Sequence, residues 1–341
     1  MHDWPDTIRD EEALEDVLSR PDEALRADLA AAPGDILVLG AAGKMGPTLC
    51  RMARRADPGR RVIAVARWSE PGLRERMESW GIECLVADLS DPAALAALPD
   101  AENLVFMAAR KFGSTGAEEQ TWAMNVLLPA AVAARYPDAR TVFFSTGNVM
   151  PLVPVGSGGA DETVTPAPVG EYAASCLGRE RVFRHAAVTR GTPCFGVRLN
   201  YAIDLRYGVL HDVATKVRDG VPVPLAMGHA NVVWQGDANA WTLRGLRRAT
   251  PDCPILNVTG PETVAVRWLA ERFGERLGRA PGFVGEEAPT ALLANAARAF
   301  AEFGYPTVPL LRMVDWVADW VAAGGRSLGK ATKFEVRDGR F

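Results

Sequence analysis

The sequence has no apolar run of the length, roughly 18 residues or more, that a membrane-spanning helix needs. Its start, Met1-His-Asp-Trp-Pro-Asp, is acidic and has no basic stretch ahead of an apolar run, which argues against a secretory leader. Cysteines are few: Cys50, Cys84, Cys176, Cys194 and Cys253 are odd in number, widely spaced and without a Cys-x-x-Cys, so neither a disulfide framework nor a zinc site is expected. The four histidines show no ligand spacing, and no metal is expected. Positive charge is not in excess, with 38 Lys+Arg against 42 Asp+Glu and a net charge of −4, which excludes the electrostatic footprint of a nucleic-acid or membrane-surface binder. There are no convincing repeats and no long low-complexity segment. These absences together predict a cytoplasmic protein whose partner is a small molecule.

What is present is a chain of 341 residues, 48% hydrophobic and 23% charged, long enough for a large core and two lobes. Its organising stretch is Asp35-Ile-Leu-Val-Leu-Gly-Ala-Ala-Gly-Lys-Met-Gly46. Four consecutive apolar residues, Ile36 to Leu39, suit a strand buried on both faces of a parallel sheet, and the residues from Pro47 to Arg55 suit a helix. Gly40, Gly43 and Gly46 allow a sharp turn between them. They also let a pyrophosphate approach the helix N-terminus, where free N–H groups favour anions.

Further strands are expected at 61–67, 83–88, 103–109 and 140–145, alternating with helices. That spacing describes a doubly wound α/β Rossmann sheet. The second strand ends in Ala66-Arg67, where an acidic residue would otherwise grip the ribose hydroxyls of NAD. Arg67 can pair with a 2′-phosphate, and Lys44 can add a second charge, so NADP is favoured with NAD as second choice; the alternative is that both cations are merely solvated. Residues 11–32 read as two short helices separated near Pro21, expected to pack on the sheet edge or on a partner. Further helices are expected at 207–220, 264–274, 289–303 and 314–321. The boundaries expected are an N-terminal helical extension over 1–34, a dinucleotide-binding domain over 35–199, and a smaller α+β substrate lobe over 200–341 with 231–258 returning to the first domain. The Gly- and Pro-rich loop 150–160 is a candidate lid or a passive surface loop.

From about Gly34 to about Ala322 the chain resembles the extended short-chain dehydrogenase/reductase family, which contains nucleotide-sugar epimerases and dehydratases. The resemblance rests on Gly40-Ala-Ala-Gly43-Lys-Met45-Gly46, Asp88-Leu89, Met107-Ala108-Ala109 and Asn125. It continues through Phe144-Ser-Thr146-Gly-Asn148-Val, Asp161-Glu-Thr-Val-Thr-Pro166 followed by Tyr172, Arg198-Leu-Asn200-Tyr201, and Asn257-Val-Thr-Gly-Pro-Glu262. It implies a cofactor site formed by the glycine turn with Met45, Asp88, Leu89, Ala108, Ala109 and Tyr172. It also implies Tyr172 as proton donor or acceptor, Thr146 as the hydroxyl that binds the substrate oxygen, and a homodimer built on the helices of Asn125 and Tyr172.

The chain departs from the family where a lysine would follow Tyr172 by four residues on the same helix face and lower the phenol pKa. That place holds Cys176. An ordinary tyrosine pKa is ~10, and a shift of ~3 units corresponds to about 4 kcal/mol, which a neutral thiol does not supply. The candidate substitutes are the charge of oxidised nicotinamide and Lys111, unless Lys111 is an exposed loop lysine. Cys176 is either a small apolar filler or a reactive thiol. Asn148 and Asn200 are candidate substrate contacts. Trp234 and Gln235 suggest a stacking face and an amide for sugar hydroxyls, unless the indole is simply packed. The arginine that binds diphosphate in nucleotide-sugar enzymes is missing from 229–237, although Arg206, Arg198 or an arginine elsewhere can still bind a phosphate. The expectation is an NAD(P)-dependent oxidoreductase or epimerase acting on a free sugar, sugar acid or lactone. The alternatives are a dinucleotide-binding sensor and a lyase or isomerase without net redox change.

Overall fold

The computed structural model describes residues 4–111, 113–330 and 332–340; Ala331 and Phe341 of the tail, and Met1–Asp3 of the acidic start, lie outside the described residues. The expected strands form as β1 (Ile36–Leu39), β2 (Val62–Ala66), β3 (Glu83–Val86), β4 (Asn103–Phe106) and β5 (Arg140–Thr146). Cys194–Leu199 and Ile255–Val258 complete a seven-stranded sheet, in the order Ile255–Val258, Cys194–Leu199, β5, β4, β1, β2, β3, and every pairing is parallel. Strand order reverses between β1 and β4, and the crevice at the carboxyl ends of those strands is where such sheets bind ligands.

The apolar run of β1 divides between two faces because successive side chains alternate. Ile36 and Val38 join one core with Leu49, Trp241 and Leu246 of α3 (Gly46–Ala56) and α10 (Gln235–Arg248). Leu37 and Leu39 join the other with Val132 of α7 (Leu128–Arg135) and Phe183 of α8 (Gly170–Arg190), where Phe183 stacks on Phe143 at 4.5 Å. A third core fills the second lobe, between α9 (Val209–Asp219), α11 (Val266–Leu277) and α13 (Leu310–Ala322).

Several expectations are corrected. The N-terminal helices α1 (Glu11–Leu18) and α2 (Glu23–Ala30) lie on the helix layer against α10 and α3, not on the sheet edge. No continuous helix runs over 289–303: Thr290–Ala291 pairs antiparallel with Val153–Pro154, and only α12 (Ala297–Phe303), capped by the Asn295 side chain, is helical. The same pairing, with the Ala160 N–H donating to the Leu293 carbonyl at 2.9 Å, pins the 150–160 loop, so it is not a free lid. The helix that carries Asn125 is interrupted: α6 (Glu118–Trp122) passes through a π-helical turn, Ala123–Leu127, before α7.

Candidate active site

At the sheet switch point the first turn closes tightly. The Gly40 φ of +87° favours glycine, and a Cβ there would lie 2.7 Å from the Ala108 backbone nitrogen. At Gly46 a Cβ would meet the Ala41 carbonyl oxygen, so this third glycine serves helix–turn packing and does not border the cleft. A Cβ at Gly43 would meet only the Gly40 oxygen, at 3.4 Å, and otherwise occupy open space. That space is a cleft of about 380 Å³ bordered by Gly40, Gly43, Arg67, Trp68, Asp88, Leu89, Ala108 and Ala109. A backbone cradle at the N-terminus of α3 with a wall of small residues fits a dinucleotide. The Asp88 carboxyl is held below its usual pKa first by hydrogen bonds from the Ser90 side chain and backbone, and also by the Arg67 charge.

Lys44 does not join Arg67. Its ammonium donates to the Ala202 carbonyl at 2.9 Å, 4.8 Å from the centre of the Tyr207 ring, and burial lowers its pKa to about 8 against the pull of Asp204.

A second cavity, of about 150 Å³, opens beside the first and brings together Lys44, Met45, Lys111, Thr146, Asn148, Tyr172 and Asn200. Thr146 ends β5, and its hydroxyl accepts from the Asn148 backbone N–H at 3.2 Å and the Asn148 amide at 3.0 Å. Tyr172, in the first turn of α8, shares hydrogen bonds with Thr146 and Cys176. Burial, reinforced by Cys176, pushes its phenol well above the ordinary value, while Thr146 and Arg179 pull it down. Cys176 lies 1% exposed beneath Tyr172 with its thiol raised, mainly by burial, and it does not border the cavity. Burial of this kind disfavours the thiolate, the form in which a cysteine acts as a nucleophile.

The Lys111 ammonium sits 5.9 Å from the centre of the Tyr172 ring and donates to the Thr332 carbonyl at 3.1 Å. Burial lowers its pKa to about 8, opposed by Cys176 and Asp212. The Asn200 amide nitrogen borders the cavity buried and without a hydrogen-bond partner among the described residues, the state of a donor left for a ligand. Tyr201 beside it has a φ of +51°, a strained conformation of the kind that collects at functional sites.

Four candidates prove structural. Trp234 is fully buried 5.3 Å from Trp316 in the second-lobe core, and Gln235, the first residue of α10, donates to the Thr48 hydroxyl at 2.9 Å; neither reaches a cavity. Arg198 is held by both Glu180 oxygens at 2.8 Å. Arg206 is held by Glu11, Glu15 and Asp204. Both guanidiniums are thus occupied by carboxylates.

Arg179, absent from the sequence reading, stands seven residues after Tyr172 on the same buried face of α8. It donates to the Phe144 carbonyl and the Asn125 side chain at 2.8 Å each. The i, i+4, i+7 spacing of Tyr172, Cys176 and Arg179 was the available signal. Thr332, which no periodicity placed, also borders the second cavity.

The model described as NAD dependent epimerase/dehydratase family matches residues 36–204, the stretch that supplies most of the lining of both cavities. The chain belongs to that family of enzymes. The family's shared region therefore runs from the glycine turn through Tyr172 to the strand that presents Asn200. Among solved structures, UDP-glucose 4-epimerase of Thermus thermophilus, in complex with NAD, superposes with a TM-score of 0.70 at 22% identity, covering 85% of this chain and 99% of that one. Pal of Bacillus thuringiensis gives 0.71 at 18% identity, covering 84% and 98%. The dTDP-glucose 4,6-dehydratase of Bacillus anthracis, in complex with NAD, gives 0.72 at 16%, covering 84% and 96%. These neighbours share the fold, and about 15% of this chain has no counterpart in them. A search of curated proteins gave no match. Among the described residues no helix is long and apolar enough to cross a membrane, and no group of acidic, histidine and cysteine side chains could hold a metal ion.

Proposed function

We propose that the protein is an NADP-dependent oxidoreductase or epimerase acting on a free sugar, sugar acid or lactone. The observation that carries this reading is the meeting of Tyr172, Thr146 and Lys111 in one cavity at the mouth of the glycine-turn cleft. Bound nicotinamide supplies the hydride acceptor or donor. Tyr172 gives or takes the proton at the reacting oxygen, and Thr146 hydrogen-bonds the same oxygen. Lys111 supplies the positive charge that Cys176 cannot. Arg67 pairs with the 2′-phosphate at the adenosine end, acting without Lys44.

Two features support a small substrate over a nucleotide sugar. The reaction cavity is only about 150 Å³, and it is lined by hydroxyls, amides and amines suited to sugar oxygens. Arg198 and Arg206 are both consumed by internal carboxylates. The depressed acidity of Tyr172 favours a second reading, a cofactor-binding sensor with weak turnover.

The deciding experiment measures NADPH and NADH binding, then turnover on sugars, sugar acids, lactones and UDP-sugars, for the wild-type protein and Tyr172→Phe. The expected result is NADPH preference and turnover on a small substrate that falls by about 10²-fold or more in Tyr172→Phe with binding retained. Undiminished turnover in that variant overturns the catalytic assignment. Faster turnover of a UDP-sugar overturns the substrate class, and binding without turnover on any of them selects the sensor.

A further inference from the structure

Beyond α13 the chain borders both cavities, through Lys330 at the first and Thr332 at the second. It is fastened on the first-lobe side by Arg326, which donates to Glu11 at 3.0 Å and to Glu70, just past β2, at 3.1 Å. The Leu328 N–H donates to the Arg206 carbonyl. Further on, the Thr332 N–H and hydroxyl both bind one oxygen of Asp212 on α9, at 2.7 and 2.6 Å, while its carbonyl holds Lys111. Phe334 is buried in the second-lobe core, and Arg337 donates to the Thr290 carbonyl at 2.7 Å. At the far end Gly339 packs so closely on Val169 and Gly170 that a Cβ on either glycine would strike the other segment's backbone.

Between these anchors lies Lys330. It borders the dinucleotide cleft and also an adjoining cavity of about 210 Å³ over the first turn of α3; the two share Ala42, Gly43 and Lys330. Arg76, Arg206 and Arg326 around it are each paired with glutamate, whereas Lys330 has no hydrogen bond or ion pair among the described residues. An exposed ammonium held over a glycine turn stands where that turn receives a diphosphate.

We propose that Lys330 binds the cofactor's diphosphate and that residues 326–330 and 332–340 form a strap which must detach before the dinucleotide leaves. This rests on the dinucleotide reading above. Lys330 then adds a charge that NADH and NADPH feel equally, because the diphosphate is common to both, while Arg67 acts on NADPH alone. The strap also makes release wait for the Arg326 and Thr332 anchors to open.

The test uses the full chain. Binding of NADPH and NADH is measured by nicotinamide fluorescence, and release by stopped-flow displacement, for the wild-type protein, Lys330→Ala, Lys330→Arg and Arg67→Ala. The expected outcome is that Lys330→Ala weakens both nucleotides by the same factor, about tenfold, and speeds their release, with Lys330→Arg restoring both. In the wild-type protein, NADPH is expected to slow tryptic cleavage after Lys330 and Lys333. Equal binding by Lys330→Ala and the wild-type protein overturns the diphosphate assignment, as does a loss confined to NADPH. Tryptic cleavage indifferent to NADPH overturns the strap. If the wild-type protein binds neither nucleotide, the dinucleotide reading itself fails.

Discussion

At the scale of single residues the proposed chemistry turns on the charges around the Tyr172 phenol. Besides Arg179, Lys111 lies near the ring; its pKa is lowered to about 8 by burial, so its ammonium is charged below that pH and neutral above it. A cation beside the ring favours the phenolate, and that help fades as pH rises through about 8. Wild-type kcat is therefore expected to show a limb falling near pH 8 that is absent in Lys111→Met, whose rate at pH 7 is lower by about tenfold. At the other end of the cleft, Arg67→Ala is expected to weaken NADPH by about tenfold and leave NADH unchanged, read as two dissociation constants. The glycine turn and the meeting of Tyr172 with Thr146 in one cavity were legible because both depend on local spacing. Trp234 and Lys44 were misread because nothing in spacing shows which way a side chain finally packs. The indole found Trp316, and the ammonium found the Ala202 carbonyl instead of the adenosine end.

Among the elements, the π-helical turn Ala123–Leu127 couples β4 to the catalytic helix. The extra residue it accommodates turns Asn125 inward. There its oxygen accepts from the Arg110 N–H at 2.9 Å and from Arg179, while its nitrogen donates to the Ser175 hydroxyl at 2.9 Å and to the Arg110 carbonyl at 3.1 Å. Asn125→Ala strips partners from a buried guanidinium and a buried amide, and is expected to cost about 2–4 kcal/mol, seen as a lower urea midpoint with an unchanged slope. The Glu180–Arg198 pair next to it is buried on both sides, with the Ser145 hydroxyl donating to the same carboxylate at 2.6 Å. Glu180→Gln is expected to cost about 3–5 kcal/mol, because it leaves the arginine charge buried and uncompensated; thermal denaturation measures it. Strands β1 and β2 could be read from continuous apolar runs, since strands covered on both faces demand them. The π turn could not, because it preserves the helical composition and shifts only the register.

For the molecule as a whole, Trp122, Leu127 and Val188 remain exposed on the π-turn and α8 face, and the Trp122 indole donates to Glu171 of α8 at 2.6 Å. We propose this face as the homodimer contact: sedimentation is expected to give a dimer for the wild-type protein and a monomer for Leu127→Glu. The path of residues 326–330 and 332–340 was not legible, because its contacts reach across hundreds of residues and leave no periodic trace. That reach has a consequence in time. Arg326 meets Glu11 across 315 residues of chain, so at synthesis rates of about 5–20 residues per second the two are delivered about a quarter of a minute to a minute apart. For the later part of that interval the glycine turn, α3 and β1 to β4 are already made and the cleft stands uncovered. The newborn molecule thus passes through an open-mouthed stage, in which its nucleotide can enter without waiting for any anchor to let go.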